Sequence, residues 1–238
     1  GAAGNQGPIE GFTGDLGVAH RLGAILGHSA ASLALGIETV HRVPTFEGFV
    51  ESTAYQAKQH WRVKGPRDGT LVHRRKVIRL PRRQYSASEI EAMSTRLDDA
   101  VRKATLARTT KDPWKIHQAE ARVRRFRDLL TKWKKPVLDT PIEVEVEVWQ
   151  LGEVGIVSMP GEPFAEIGVE VRKASPFAVT MFCGYSDGVG GDYLPMTCEY
   201  DQGGYEVERT PYGHEADKKL IAETIGLLQS LQTASKDP

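Results

Sequence analysis

Three side chains in the last third of the chain combine a reactive type with a constrained setting: Glu162, Tyr193 and Tyr205. Glu162 stands between Pro160-Gly161 and Pro163, where an apolar run (residues 154–159) gives way to a helical pattern. It reads equally well as a helix-entry carboxylate favoured by the helix dipole and as a carboxylate fixed by prolines, placed to hold a metal or take a proton. Tyr193 lies in Asp192-Tyr193-Leu194-Pro195, and Tyr205 in Gly203-Gly204-Tyr205-Glu206, twelve residues further on. A phenol can bind a metal as phenolate or donate a hydrogen bond to an oxyanion. Each tyrosine taken alone also fits a half-buried aromatic. His20, His28 and His41 carry no metal-ligand spacing and read as structural. Cys183 and Cys198 flank the glycine-rich residues 184–192. Two cysteines make no disulfide framework, and ordinary thiols are the simpler reading.

The elements that must position these groups follow from patterning. Residues 142–151 alternate Ile142, Val144, Val146, Val148 with Glu143, Glu145, Glu147, a strand with one solvent face. Residues 154–159 and 177–183 read as buried strands, 164–173 as a helix between them, and 216–231 as a closing helix. Upstream, residues 20–40 set Leu22, Ile25, Leu26, Leu33, Leu35 and Ile37 among Gly and Ala, predicting a helix packed closely on a sheet. Residues 47–64 read as one loosely alternating strand, 65–69 as a turn and 72–80 as a second strand. Ser88 with Glu91 predicts a capping box opening a helix to about residue 106. Asp112-Pro113 opens another to about residue 133, with Ile116, Val123, Phe126, Leu129 and Leu130 at helical spacing. The resulting expectation is an α/β fold: a layered mixed sheet with flanking helices and a helical-pair insertion over residues 86–135, all within a single domain over residues 1–238.

At 238 residues the chain can bury a substantial core. No apolar run approaches a membrane span. The formal net charge is zero but uneven: residues 61–135 hold 22 Lys/Arg against 8 Asp/Glu, and residues 136–238 hold 6 against 18. That asymmetry fits two complementary faces of one domain better than a polyanion surface. The basic region lacks interleaved aromatics and any recognised motif, which argues against nucleic acid as a partner.

Taken together, Met159-Pro160-Gly161-Glu162-Pro163-Phe164, Tyr193-Leu194-Pro195, Glu199-Tyr200 and Gly204-Tyr205-Glu206 resemble the neutral (non-lysosomal) ceramidase family, in that family's order. The opening Gly1-Ala2-Ala3-Gly4-Asn5-Gln6-Gly7-Pro8 is similar to the family's Gly-Asp-x-Ser/Asn-Pro motif. The resemblance implies the later part of a ceramidase-like catalytic domain that hydrolyses an amide or related acyl bond of a small-molecule or lipid substrate with metal-activated water. It implies zinc as cofactor, with Glu162 and Tyr193 as metal ligands and Tyr205 as the catalytic donor to the oxyanion. The two histidine ligands are then expected upstream, in a missing N-terminal half that would be a partner of this one. An extracytoplasmic or secreted setting goes with the family. Where ceramidases carry Asp and Ser in the first motif, this chain has Asn5 and Gly7, so the family's serine hydroxyl is lacking. The alternative is a non-catalytic relative that binds a ligand or an anionic partner.

Overall fold

The structure, a computed structural model, describes residues 1–11, 13–37, 42–51, 56–65, 69–136, 139–186 and 192–234. Contacts gather into two compact units: Gly7–Leu71 with Leu151–Glu153, and Gly1–Gln6 with Val72–Gln150 and Val154–Pro238. No helix among the described residues is long and apolar enough to cross a membrane.

The smaller unit holds α1 (Leu16–Leu35) and an antiparallel pair, β1 (Arg42–Phe49) and β2 (Ala57–Val63). Asp15 caps α1 by accepting the Gly17 N–H at 2.7 Å. Two expectations change here. The single strand over residues 47–64 is instead two strands, with a bulge between Phe46 and Gly48; Ser52 to Tyr55 lie outside the described residues. The helix expected to pack on a sheet buries none of its side chains. Leu26, Leu33 and Leu35 are exposed, because small residues permit close packing but supply no surface to pack against. His41 and Pro66 to Asp68 of the anticipated turn also lie outside the described residues.

The larger unit is a mixed α/β layer, in agreement with the expected fold class. Its elements are β3 (Leu71–Leu80), α2 (Ala87–Thr109), α3 (Pro113–Trp133), β4 (Ile142–Leu151), β5 (Val154–Ser158), β6 (Glu162–Pro163), α4 (Ala165–Ala174), β7 (Val179–Cys183), β8 (Tyr193–Leu194), α5 (Tyr205–Arg209) and α6 (Ala216–Ala234). Four strands run in the order β3-β4-β5-β7, with β5 and β7 parallel and in register from Val154↔Val179 to Ser158↔Cys183. The parallel step needs a crossover, and α4 supplies it.

The alternation of β4 works as read. Val144, Val146 and Val148 are buried in a core that includes Val157, Ile167, Val171, Leu220, Leu228 and Leu231. On the opposite face Glu143, Glu145 and Glu147 meet Arg79 (3.0 Å), Arg75 (3.4 Å) and His73 (3.6 Å) of β3. The basic middle and the acidic C-terminal part therefore answer one another across a sheet.

Helices α2 and α3 pair around their own core of Met93, Ala100, Ala104, Val123, Phe126, Leu129, Leu130 and Trp133. The capping box sits two residues before the expected one. Ser86 Oγ accepts the Glu89 N–H (3.2 Å) and Glu89 accepts the Ser86 N–H (2.8 Å). Both Ser86–Glu89 and Ser88–Glu91 fit the pattern; the first prevails because Glu89 is also held by Arg83 at 3.0 Å. Burial alone would raise the Glu89 carboxyl, but Ser86 and Arg83 together hold it below its ordinary value. At α3 the expected start stands: Asp112 accepts the N–H groups of Trp114 and Lys115, and Pro113 occupies the first turn.

Candidate functional site

At the C-terminal end of β5 the chain turns through Gly161, at φ 85°, into the two-residue strand β6. β6 pairs in parallel with β8, and the register places Glu162 opposite Tyr193 and Pro163 opposite Leu194. The Glu162 N–H donates to the Asp192 carbonyl (3.1 Å) and the Phe164 N–H to the Leu194 carbonyl (3.0 Å). Two residues 31 positions apart thereby become lateral neighbours on one short ladder.

Tyr205 comes to the same place from α5. Gly204 precedes it at φ 107°, a conformation that side-chain-bearing residues rarely adopt. The rings of Tyr193 and Tyr205 meet edge to face, with centroids 5.8 Å apart and planes at 73°. The guanidinium of Arg125, from α3, lies 4.4 Å over the Tyr205 ring, and that of Arg209 lies 5.5 Å from it. Glu208, one turn after Tyr205, is buried and accepts from Arg96 at 2.5 Å and Arg125 at 2.6 Å. The helical pair thus holds α5 by a two-arginine clamp on a single carboxylate.

The N-terminal segment completes the wall. The Gly4 N–H donates to the Pro163 carbonyl at 2.8 Å. A Cβ on Gly4 would come within 2.2 Å of the Glu162 carbonyl oxygen, so only glycine fits. Asn5 Oδ1 accepts the Ala165 N–H (2.9 Å), and its amide donates to Glu166 (2.8 Å). Asn5 therefore caps α4 from a distant part of the chain. An aspartate there would accept the same N–H but set a second carboxylate against Glu166. Gly7 and Pro8, the rest of that motif, are exposed and belong to the other unit.

The electrostatics centre on Glu162. Burial, then the Glu162 carboxylate as charge and as hydrogen-bond acceptor, push the Tyr193 phenol up to about 12. Tyr185, which the sequence reading does not single out, reaches the same carboxylate with its hydroxyl at 3.4 Å. Its phenol is raised by burial and by Glu162. Tyr185 adopts φ 60°, and its N–H donates to the Gly161 carbonyl at 2.9 Å. A bulky residue in the left-handed region is uncommon, and its neighbour Gly184 gives no sign of it in the sequence. Asp187 to Gly191 of the glycine-rich loop lie outside the described residues.

Glu162, Tyr193 and Tyr205 thus gather, with Tyr185 beside them. Glu162 and Tyr193 offer two oxygen donors of the kind zinc accepts, fewer than the three protein ligands of a catalytic zinc site. Among the described residues no three His, Cys, Asp or Glu side chains form a metal-holding group. The described residues fit part of a zinc shell and do not complete one. Cys183 and Cys198 are both free thiols.

No family model and no curated protein matches the sequence. Among solved structures the chain is similar to a ceramidase complexed with C2, at 21% identity and a TM-score of 0.37, over 42% of this chain and 17% of that one. It is also similar to the neutral ceramidase from Pseudomonas aeruginosa, at 17% identity and a TM-score of 0.43, over 70% of this chain and 29% of that one. The chain thus spans less than a third of the length of either.

Proposed function

We propose that Glu162, Tyr193 and Tyr205 belong to the site of a ceramidase-like hydrolase that cleaves an amide or a related acyl bond. The observation that carries this reading is the β6–β8 register, which sets Glu162 beside Tyr193 with the Tyr205 ring against it. The order of the matching motifs in the sequence supports it.

Glu162 and Tyr193 would hold zinc, with histidine ligands supplied from outside residues 1–238. When bound, zinc brings a water whose pKa falls to about 7 and a Lewis acid for the carbonyl. The chain's own groups account for the rest. Without a cation, Tyr193 keeps its proton and shares it with Glu162, since the carboxylate disfavours a phenolate. A bound cation would reverse that preference, since its charge would favour both oxygens as anions. Tyr205, two-fifths exposed and held by α5, presents its hydroxyl as a donor to a carbonyl oxygen as that oxygen gains charge. The Arg125 guanidinium packed on its ring holds that ring in place.

Replacing Tyr205 with Phe in the intact protein keeps the ring and removes the donor. Turnover of N-acyl amine substrates should fall by roughly 10²–10³ with metal content unchanged. Full activity in Tyr205→Phe would remove the oxyanion role. Failure of the metal-loaded parent protein to hydrolyse any N-acyl amine or ester would remove the hydrolase reading.

A further inference from the structure

A concavity of about 290 Å³ in the larger unit is lined by Arg82, Arg83, Lys132, Lys135 and Arg209, with Asp192 as its acidic member. The cations come from separate elements: the segment after β3, the end of α3, and the last residue of α5. Arg83, buried in the wall, is committed to Glu89 at 3.0 Å and to the Val207 carbonyl. Arg82 gives its Nε to the Thr140 carbonyl at 2.9 Å, a neutral partner that leaves its charge unanswered. No ion pair among the described residues engages Arg82, Lys132, Lys135 or Arg209. Elsewhere on the helical pair, by contrast, Arg96 and Arg125 share Glu208, Arg108 takes Glu120, and Lys103 takes Asp99.

We propose that this concavity binds the phosphate group of a phosphomonoester. Like charges brought together from three elements repel unless an anion joins them. A carboxylate, singly charged, would leave most of that repulsion in place. A phosphomonoester carries close to two charges at neutral pH and three acceptor oxygens, matching donors that approach from several directions. Asp192 narrows the class. A carboxylate in the lining repels a bare polyanion but accepts a hydrogen bond from an alcohol, so the ester's organic part should bear a hydroxyl, as in glycerol phosphate. Phosphate binding here does not depend on the hydrolase reading, although the concavity borders those residues: Arg209 lies 5.5 Å from the Tyr205 ring, and Asp192 accepts the Glu162 N–H through its carbonyl at 3.1 Å and directly precedes Tyr193.

The test is isothermal titration calorimetry on the full chain with glycerol 3-phosphate and with inorganic phosphate. A parallel sedimentation assay uses phosphatidylcholine vesicles with and without phosphatidate. Glycerol 3-phosphate should bind saturably, more tightly than inorganic phosphate, and more weakly as ionic strength rises. The K132Q/K135Q double variant changes two exposed side chains and should weaken binding roughly tenfold or more, the loss expected for charge-assisted hydrogen bonds. Lys103→Gln, at a lysine paired with Asp99, should leave binding unchanged. Binding to phosphatidate vesicles that glycerol 3-phosphate displaces would place the phosphate on a lipid headgroup; binding of the soluble ester alone would place it on a free metabolite. Either result supports the site. Absence of saturable binding to every probe, or equal binding by the K132Q/K135Q variant, would overturn it.

Discussion

Replacing Glu208 with Gln probes the clamp that joins the helical pair to α5. The side chain is 8% exposed and receives Arg96 at 2.5 Å and Arg125 at 2.6 Å. Glutamine keeps the volume, so no cavity term enters, and the change isolates the charge. Removing one member of a fully buried ion pair costs about 3–5 kcal/mol, because the other charge is left without a partner. Here the two arginine side chains are 47% and 34% exposed and can regain water, which lowers the expected loss to about 2–3 kcal/mol. Arg125 bears more of it, since its buried Nε already has no partner. Urea denaturation followed by tryptophan fluorescence measures the loss. A double-mutant cycle of Glu208→Gln with Arg125→Gln should give a coupling of about 1 kcal/mol or more. A loss below about 0.5 kcal/mol, the range of ordinary surface changes, or a coupling near zero would refute the clamp. If the clamp sets Tyr205, amide protons of α5 should also exchange faster in the variant than in the parent.

Two further outcomes follow from single contacts. Gly4→Ala places a methyl against the Glu162 carbonyl, so the Gly4–Pro163 hydrogen bond must break and Asn5 must leave the α4 N-terminus; a loss of about 1–3 kcal/mol and faster exchange at the Ala165 N–H are expected, and parent-like exchange would contradict it. Burial pushes the phenols of Tyr200 and Tyr212 up to about 12, so they stabilise the fold below the unfolded value of about 10 and lose that contribution as pH rises through about 12. A tyrosinate absorbance titration checks this: Tyr200 and Tyr212, together with Tyr193, should ionise well above the remaining tyrosines, and ionisation of every tyrosine near pH 10 in folded protein would contradict it.

Much of the fold was legible because its signals are local. The alternation of β4 names its buried face, and Asp112-Pro113 names the start of α3. Capping was less determinate, since two overlapping Ser-x-x-Glu patterns compete and a distant arginine, Arg83, decides between them. The α1 helix was recognisable, but its burial was not, because burial depends on a partner surface that no pattern within the helix specifies. The site shows the same division. β6 and β8 have two residues each, too few for periodicity, so only the order of the motifs hinted that Glu162 and Tyr193 would meet. Tyr185 and the Arg125–Glu208 clamp left no trace in spacing, because their roles arise from a left-handed backbone turn and from packing between helices far apart in sequence.

The most direct test of the central reading is the zinc content of the intact protein, measured for the parent, Glu162→Gln and Tyr193→Phe. The account predicts about one zinc ion per chain in the parent. It predicts a marked loss in Glu162→Gln, since a neutral amide is a poor zinc ligand, and weakened retention in Tyr193→Phe. Zinc bound equally by all three proteins would show that these two residues hold no metal, and would contradict the account.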